Sequence, residues 1–193
     1  MASLKHEIEQ ERAFSSLEEE VLLNLMRSCD SLNRAFQRNT RGYGVTTTQY
    51  NVLRILRGAQ PDGLNCAAIG RRMVTAEPDI TRLLNRLKTL RLIRQHRDHQ
   101  DRRVVWTQIS ETGLELLERM DPVISRLPGE LLGHMPPQEL ASLNQLLELA
   151  RARSATVERA EDAYKAPRIE KEDEKHLPGL TKAPGEPPGV IVP

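Results

Sequence analysis

The chain has 193 residues, of which 38% are hydrophobic, 28% are charged and 3% are aromatic, and its formal net charge is +1. This composition predicts one domain with a leucine-rich, helical core, followed by a tail, and the near-neutral charge gives no global sign of a polyanionic partner. No stretch approaches the roughly 18 apolar residues of a membrane span, no apolar leader is evident, and two cysteines without paired spacing indicate a reducing cytoplasm.

The first long helix is predicted after a charged and polar segment, residues 1–15, which we expect to be flexible. Ser16-Leu17-Glu18-Glu19 has the pattern of a capping box, and apolar residues then recur at helical spacing until about Arg41. This apolar stripe contains Leu22, Leu25, Cys29, Leu32 and Phe36. The sequence Gly42-Tyr43-Gly44 is expected to end the helix.

Two shorter helices are predicted next. A second capping box, Thr46-Thr47-Thr48-Gln49, begins a helix that ends at the turn sequence 60–63. The apolar side of this helix contains Tyr50, Leu53 and Leu56. Residues 64–73 predict a support helix with Asn65 at the N-cap, and their small residues would allow a second helix to cross closely.

An amphipathic helix is predicted over residues 76–88, with Thr75 or Glu77 as its N-cap and Pro78 in its first turn. Its buried stripe contains Ile80, Leu83, Leu84, Leu87 and Leu90, and its opposite face contains Pro78, Thr81, Arg82, Asn85 and, at the edge, Arg86. Arginine and asparagine are the side chains that bind guanine and adenine edges in a major groove. The sequence therefore predicts that this outward face contacts DNA.

A basic β-hairpin is predicted directly after that helix. Its strands are residues 92–97 and 104–109, and its polar tip, residues 98–103, ends in Asp101-Arg102-Arg103. A hairpin with arginines at its tip has the length to enter a minor groove. The helix and the hairpin together are typical of a winged helix-turn-helix that binds double-stranded DNA.

The local charge supports this interpretation. Residues 64–109 contain ten basic and four acidic residues, so their net charge is +6. Such a concentration of charge is expected of phosphate binding, for which Arg71 and Lys88 are candidates in addition to the residues above.

Further helices are predicted after the hairpin. One begins at Ser110-Glu111-Thr112-Gly113, is punctuated by Pro128-Gly129 and Pro136-Pro137, and is followed by a last helix from Gln138 to about Arg153. Six of the 12 prolines fall between Pro167 and Pro193. This composition predicts a disordered tail.

The predicted fold is mainly α with a small β-hairpin: a winged helix-turn-helix with N- and C-terminal dimerisation helices. The terminal helices have more apolar surface than one small module can cover, so we expect two chains to interlock through them and to bind a roughly palindromic site. The predicted segments are a flexible N-terminal segment (1–15), a dimerisation helix (16–44), the DNA-binding domain (45–109), C-terminal dimerisation helices (110–157) and the tail (158–193).

The chain resembles the MarR family of bacterial transcriptional regulators over about residues 17–153. The order and spacing of several stretches support this resemblance together, and no single motif decides it. The matching stretches are residues 45–53, the support helix at 64–73, Asp79-Ile80-Thr81-Arg82-Leu83-Leu84-Asn85-Arg86-Leu87, Leu92-Ile93, Asp101-Arg102-Arg103 and Ile109-Ser110-Glu111-Thr112-Gly113.

The resemblance implies a six-helix winged-helix protomer, an obligate homodimer and a cytoplasmic repressor or activator. It also implies that Arg103 enters the minor groove while Asp101 helps to hold it or a neighbouring arginine, with Arg102 between them. A small aromatic or phenolic effector is a further candidate partner. The family often has glycine after the recognition helix, where this chain has Arg91, and Glu77 and Asp79 place negative charge near the helix start.

Other residues leave alternatives open. Cys29 is a candidate for redox sensing, but its place on the apolar stripe, without a cationic neighbour, favours an inert buried thiol. His96 and His99 suggest a metal site, but the sequence provides no further pair of ligands, so no metal is predicted. Tyr43, Tyr50 and Phe36 are candidates both for an effector pocket and for the core.

Two other classes of protein compete with a DNA-binding regulator. An enzyme is not favoured because the chain lacks a glycine-rich phosphate loop, a nucleophile elbow and a His/Cys/Asp cluster at catalytic spacing, so no catalytic residue or cofactor is predicted. A winged-helix module that binds protein would present apolar anchors on the outward face of the 76–90 helix. That face instead has Thr81, Arg82 and Asn85.

Overall fold

The computed structural model describes residues 3–163, with side chains described as far as residue 153. Its helices are α1 (Leu4–Glu7), α2 (Leu17–Arg41), α3 (Thr47–Arg57), α4 (Cys66–Arg72), α5 (Ile80–Thr89), α6 (Glu111–Ile124), α7 (Leu127–Leu132) and α8 (Pro137–Ala163). Its strands are β1 (Leu64–Asn65), β2 (Ile93–Arg97) and β3 (Val105–Ile109). The predicted fold class is confirmed: the chain is mainly helical with a small antiparallel sheet.

Two compact units divide the chain after residue 140. The first contains α1 to α7, the sheet and the start of α8, and the second contains α8 from residue 141 onward. The predicted DNA-binding residues all belong to the first unit. In the second unit, Leu146 and Leu149 of α8 are exposed.

Side-chain caps define the starts of α2, α3 and α6 where the sequence predicted them. Ser16 Oγ accepts from the Glu19 N–H at 3.2 Å, although the Glu19 carboxylate accepts from Ser15 rather than from the Ser16 N–H. Thr46 and Gln49 form the complete reciprocal capping box of α3. Ser110 caps α6 through the Gly113 N–H. These local hydrogen bonds are available to short sequence motifs, which is why the starts were predictable.

The start of α5 differs from the prediction. Neither Thr75 nor Glu77 is its N-cap; Asp79 Oδ1 accepts from the Arg82 N–H at 2.8 Å, and the helix begins at Ile80. Pro78 therefore precedes the helix instead of lying in its first turn. The outward face at this end is shorter than predicted, and it begins with Thr81.

The end of α5 explains the position of Arg91. The Leu92 N–H donates to the Leu87 carbonyl at 3.0 Å, and the Arg91 N–H donates to the Lys88 carbonyl at 2.9 Å, which is the Schellman pattern. Arg91 has a φ of 59°, in the left-handed region that glycine adopts with least strain. Arg91 therefore occupies a position that favours glycine, as the comparison with the family pattern suggested.

The hairpin is confirmed and is joined by a third strand that the sequence did not predict. The strand order is β1-β3-β2, all antiparallel, with Ile93 opposite Ile109 and Leu64 opposite Thr107. Gly63 precedes β1 with a φ of 78°, and a Cβ there would clash with the Thr107 carbonyl oxygen. A strand of two residues is too short to produce a periodic pattern.

The core lies between α3, α5, α6 and the sheet. Its fully buried side chains are Val52, Leu53, Leu56, Ile69, Leu87, Leu117 and Met120, with Thr40 and Thr107. Tyr50 is also buried, and this burial raises the pKa of its hydroxyl. At the rim, the Arg57 guanidinium pairs with both oxygens of Asp121 at 2.7 and 3.2 Å, which fixes α3 against α6.

Several boundaries and burials differ from the prediction. Leu90, expected in the buried stripe, is 44% exposed because α5 ends there. Pro128 and Gly129 lie within α7, since proline is tolerated in a first turn. The helix α1 lies within the segment predicted to be flexible, and α8 extends to Ala163, beyond the expected end near Arg153. The predicted tail lies outside the described residues from residue 164 onward.

Candidate nucleic-acid interface

The outward face of α5 is polar and exposed. Leu84 and Leu87 are 3% and 0% exposed, so the opposite side of the helix is fixed against the core. The four predicted base-contacting residues of this face, Thr81, Arg82, Asn85 and Arg86, are all exposed. The structure thus places them together on one surface, as the helical spacing predicted.

The support helix α4 crosses α5 closely. A Cβ at Gly70 would lie 2.7 Å from Ile80 Cδ1, so a larger residue at this crossing would require the Ile80 side chain to shift. Asn65 caps α4 through the Ala68 N–H at 2.8 Å. Arg71 on α4 and Lys88 on α5, the two predicted phosphate contacts, are exposed.

A cleft of about 450 Å³, here called the wing cleft, lies between α4, α5 and the hairpin. Its lining residues are Asn65, Cys66, Ala67, Thr81, Asn85, Gln95, Arg103, Val104 and Val105. It brings Thr81 and Asn85 of the helix next to Arg103 of the hairpin tip. Gln95 and Asn65 were not predicted for this surface, because only strand register and helix crossing bring them here.

A second cleft, here called the Arg41 cleft, has a volume of about 660 Å³ and lies on the other side of α5. Its lining residues include Arg41, Val45, Thr46, Gln49, Glu77, Asp79, Arg82, Leu83, Arg86 and Leu90. The outward face of α5 thus has two edges: Thr81 and Asn85 line the wing cleft, whereas Arg82 and Arg86 line the Arg41 cleft.

The hairpin tip presents its arginines to solvent. Asp101 Oδ1 accepts from the Arg103 N–H at 2.9 Å, and the Arg102 carbonyl accepts from Arg97 Nη1 at 3.3 Å. Asp101, Arg102 and Arg103 are all exposed. Asp101 therefore holds the main chain of Arg103, and Arg103 lines the wing cleft.

Asp98 organises the base of the same tip. Its Oδ1 accepts from the N–H groups of Gln100 and Asp101 at 2.8 and 2.9 Å, and its Oδ2 accepts from the Trp106 indole at 2.9 Å. These hydrogen bonds hold the pKa of the Asp98 carboxyl below its usual range, and the bond from the Asp101 N–H contributes most. Asp98 was not among the predicted site residues.

Cys29 is exposed on α2, so the expected burial of its thiol is wrong for a single chain. Phe36 and Tyr50 form a ring pair with centroids 6.1 Å apart, and with Tyr43 they pack in or against the core rather than lining either α5 cleft.

Within residues 3–163, no cluster of three or more His, Cys, Asp or Glu side chains is arranged to hold a metal. No helix in the described part of the chain has the length and hydropathy needed to cross a membrane.

The chain is similar to known members of the MarR family. A model of the MarR family matches residues 43–104. The HTH-type transcriptional regulator MhqR of Bacillus subtilis (strain 168) is 26% identical over 126 residues, which are 64% of this chain and 84% of that protein.

Solved structures of similar fold include two with substantial coverage. A MarR transcription factor from Planctomyces limnophilus is 34% identical, over 71% of this chain and 99% of its own, with a TM-score of 0.55. BpsR of Bordetella bronchiseptica, whose DNA binding is regulated by 6-hydroxynicotinic acid, is 24% identical over 69% of this chain and 99% of its own, with a TM-score of 0.61.

Proposed function

Because this chain belongs to the MarR family of DNA-binding transcriptional regulators, we propose that it is a ligand-responsive repressor that binds a pseudo-palindromic operator as a homodimer. The observation that supports this proposal best is the wing cleft. There the outward edge of α5 and the arginine of the hairpin tip lie along one surface. A helix and a hairpin in this relation fit a major groove and the adjacent minor groove of one DNA half-site.

The two edges of α5 suit different contacts with bases. We expect Asn85 to make a bidentate contact with adenine and Arg82 with guanine, while Thr81 and Arg86 extend the same surface. The Asp79 cap leaves both edges free, because its carboxylate binds the Arg82 main chain and not the guanidinium. Arg102 and Arg103 would meet the minor groove, and Arg71 and Lys88 would meet phosphates.

The homodimer is proposed from the surface of α2. Its exposed apolar residues are Leu17, Val21, Leu22, Met26 and Leu32, of which Leu22, Met26 and Leu32 lie on one side of the helix. A row of large apolar side chains in solvent marks an interaction surface, and a second copy of the same helix covers it with an identical row. Two protomers joined in this way would present two α5 helices to one duplex.

An effector site is proposed in the Arg41 cleft. Three arginines, Arg41, Arg82 and Arg86, line it together with the apolar residues Val45, Leu83 and Leu90, and they outnumber its two acidic residues, Glu77 and Asp79. This combination suits a small aromatic carboxylate or phenolate, a chemistry related to the compound that regulates BpsR. Since Arg82 and Arg86 are also proposed DNA contacts, a bound effector would compete with the operator for them.

The test of the proposed function begins with selection of a duplex by the unmodified chain from a pool of random sequences. The chain and its variants are then titrated with this duplex and a scrambled one at several salt concentrations. We expect Arg82→Ala and Asn85→Ala each to weaken binding of the selected duplex by about ten- to a hundredfold, and to change binding of the scrambled duplex little.

Lys88→Ala is the matched control on the same helix. As a phosphate contact, it should weaken binding of both duplexes and reduce the salt slope by about one. If Arg82→Ala lowered both affinities equally, Arg82 would be a phosphate contact and base recognition would lie elsewhere. If the chain selected no sequence from the pool, the proposed function would be wrong.

A further inference from the structure

Two residues that do not line the wing cleft, Asp98 and Trp106, form a hydrogen bond at the base of the hairpin tip. We propose that Asp98 and Trp106 are positioning residues for DNA binding, and that they hold the tip so that Arg103 lies in the wing cleft. This inference rests on the proposed function. It adds two residues, Asp98 and Trp106, that are not themselves proposed to contact DNA.

The hydrogen bonds of Asp98 connect the tip to the sheet. One carboxylate oxygen accepts from two successive main-chain N–H groups of the tip, and the other accepts from the indole of Trp106 on β3. The Asp98 N–H donates to the Val104 carbonyl at 2.9 Å, which closes the loop beneath these bonds. The next link is Asp101, whose carboxylate accepts from the Arg103 N–H. A chain of hydrogen bonds thus connects Trp106 to the main chain of Arg103.

Asp98 and Trp106 lie on the reverse side of the hairpin. They line a separate cleft of about 520 Å³, whose other lining residues are Pro61, Asp62, His96, His99 and Gln108. None of these residues lines the wing cleft. Side chains alternate along a strand, so Val105 lines the wing cleft while Trp106, its neighbour on β3, points to the reverse side. An effect of Asp98 on DNA binding would therefore act through the shape of the tip.

The direction in which DNA affinity changes when the charge of Asp98 is removed tests this inference. A carboxylate near a polyanion repels it, so electrostatics alone predict that removal of this charge tightens DNA binding. A positioning role predicts the opposite, because an asparagine amide turned toward the indole would place two donors face to face. The depressed pKa keeps the carboxyl ionised, and the bonds in place, until the pH falls well below neutrality.

The experiment compares Asp98→Asn with Asp62→Asn, using the duplex selected by the unmodified chain. Asp62→Asn makes the same change in net charge, and Asp62 lines the same reverse cleft, so the change is made on the same side of the hairpin. We expect Asp98→Asn to bind the duplex about three- to tenfold more weakly, and Asp62→Asn to bind at least as tightly as the unmodified chain. Trp106→Phe should weaken binding similarly. The double variant should bind the duplex as well as the weaker-binding single variant does, because both substitutions break the same hydrogen bond.

Trp106 is the only tryptophan of the chain, so its fluorescence reports on this link without DNA. Asp98→Asn should shift its emission and increase its quenching by acrylamide, whereas Asp62→Asn should leave the quenching unchanged. Thermal unfolding of each variant separates a loosened tip from a general loss of stability.

Arg103→Ala separates the two ways of failing. If Arg103→Ala weakened binding and Asp98→Asn bound as tightly as Asp62→Asn, the positioning role would be wrong and the proposed function would stand. Additive effects of Asp98→Asn and Trp106→Phe would also overturn it. If neither the unmodified chain nor any variant preferred the selected duplex to a scrambled one, the proposed function would fail as well.

Discussion

The helices α2 and α5 are both amphipathic, but within one chain only the apolar side of α5 is buried. In α5 the apolar stripe is covered, with Leu84 and Leu87 3% and 0% exposed, and the outward face is polar. In α2, Leu22 and Met26 are 57% and 61% exposed. Covering apolar surface stabilises by roughly 25 cal/mol per Å². A lone chain does not gain this stabilisation at the exposed leucines and Met26 of α2. The two helices therefore suit different partners: a polyanion for α5 and a second protomer for α2.

The largest expected effect comes from placing a charge on the apolar surface of α2. Leu22→Glu should leave each protomer folded, since the side chain is already more than half exposed, but it should weaken dimerisation by about a hundredfold or more because a dimer would bury an unpaired carboxylate. Sedimentation at several concentrations measures this change. DNA affinity should fall with it, because a monomer has one α5 and not two.

The matched control is Ser31→Glu. Ser31 is exposed on the side of α2 opposite to Leu22, so the same charge there should leave the dimer intact. A dimer of unchanged affinity in Leu22→Glu would show that α2 does not form the interface.

A smaller effect is expected where α5 ends. Arg91→Gly relieves the strain of a left-handed residue, and we expect it to raise the free energy of unfolding by about 1 kcal/mol, measured by urea denaturation. Its effect on DNA binding should be limited to the loss of one positive charge.

Lys88→Gly is the control for Arg91→Gly, since it introduces the same residue within the helix. It should lower the free energy of unfolding by about 1 kcal/mol. If both substitutions were destabilising, the left-handed conformation of Arg91 would cost the protein little.

The sequence predicted those parts of the fold that local chemistry determines. The Thr46 capping box and the Ser110 cap each depend on residues within four positions of one another. The start of α5 was predicted wrongly because Thr75, Glu77 and Asp79 are all capable of capping, and only the path of the preceding turn selects Asp79. The strand β1 depends on pairing with β3, more than 40 residues away, and two residues leave no pattern.

The same division applies to the candidate site. Helical spacing was enough to predict that Arg82 and Asn85 share an exposed face. It did not predict that these residues line different clefts, because that depends on where α3 and the hairpin lie. The Asp98 and Trp106 contact joins residues across the hairpin, and a charged tip gives no sign of which carboxylate is structural.

The central claim is that α2 joins two chains so that two α5 helices contact one duplex, and the spacing of half-sites tests it most directly. In the selected duplex, the centres of the two half-sites should lie about one helical turn, roughly 10 base pairs, apart. Insertion of about five base pairs between them turns one half-site to the opposite face of the duplex. We predict that this insertion reduces the affinity of the unmodified chain to that of a duplex with one half-site. An affinity unchanged by the insertion would contradict the account.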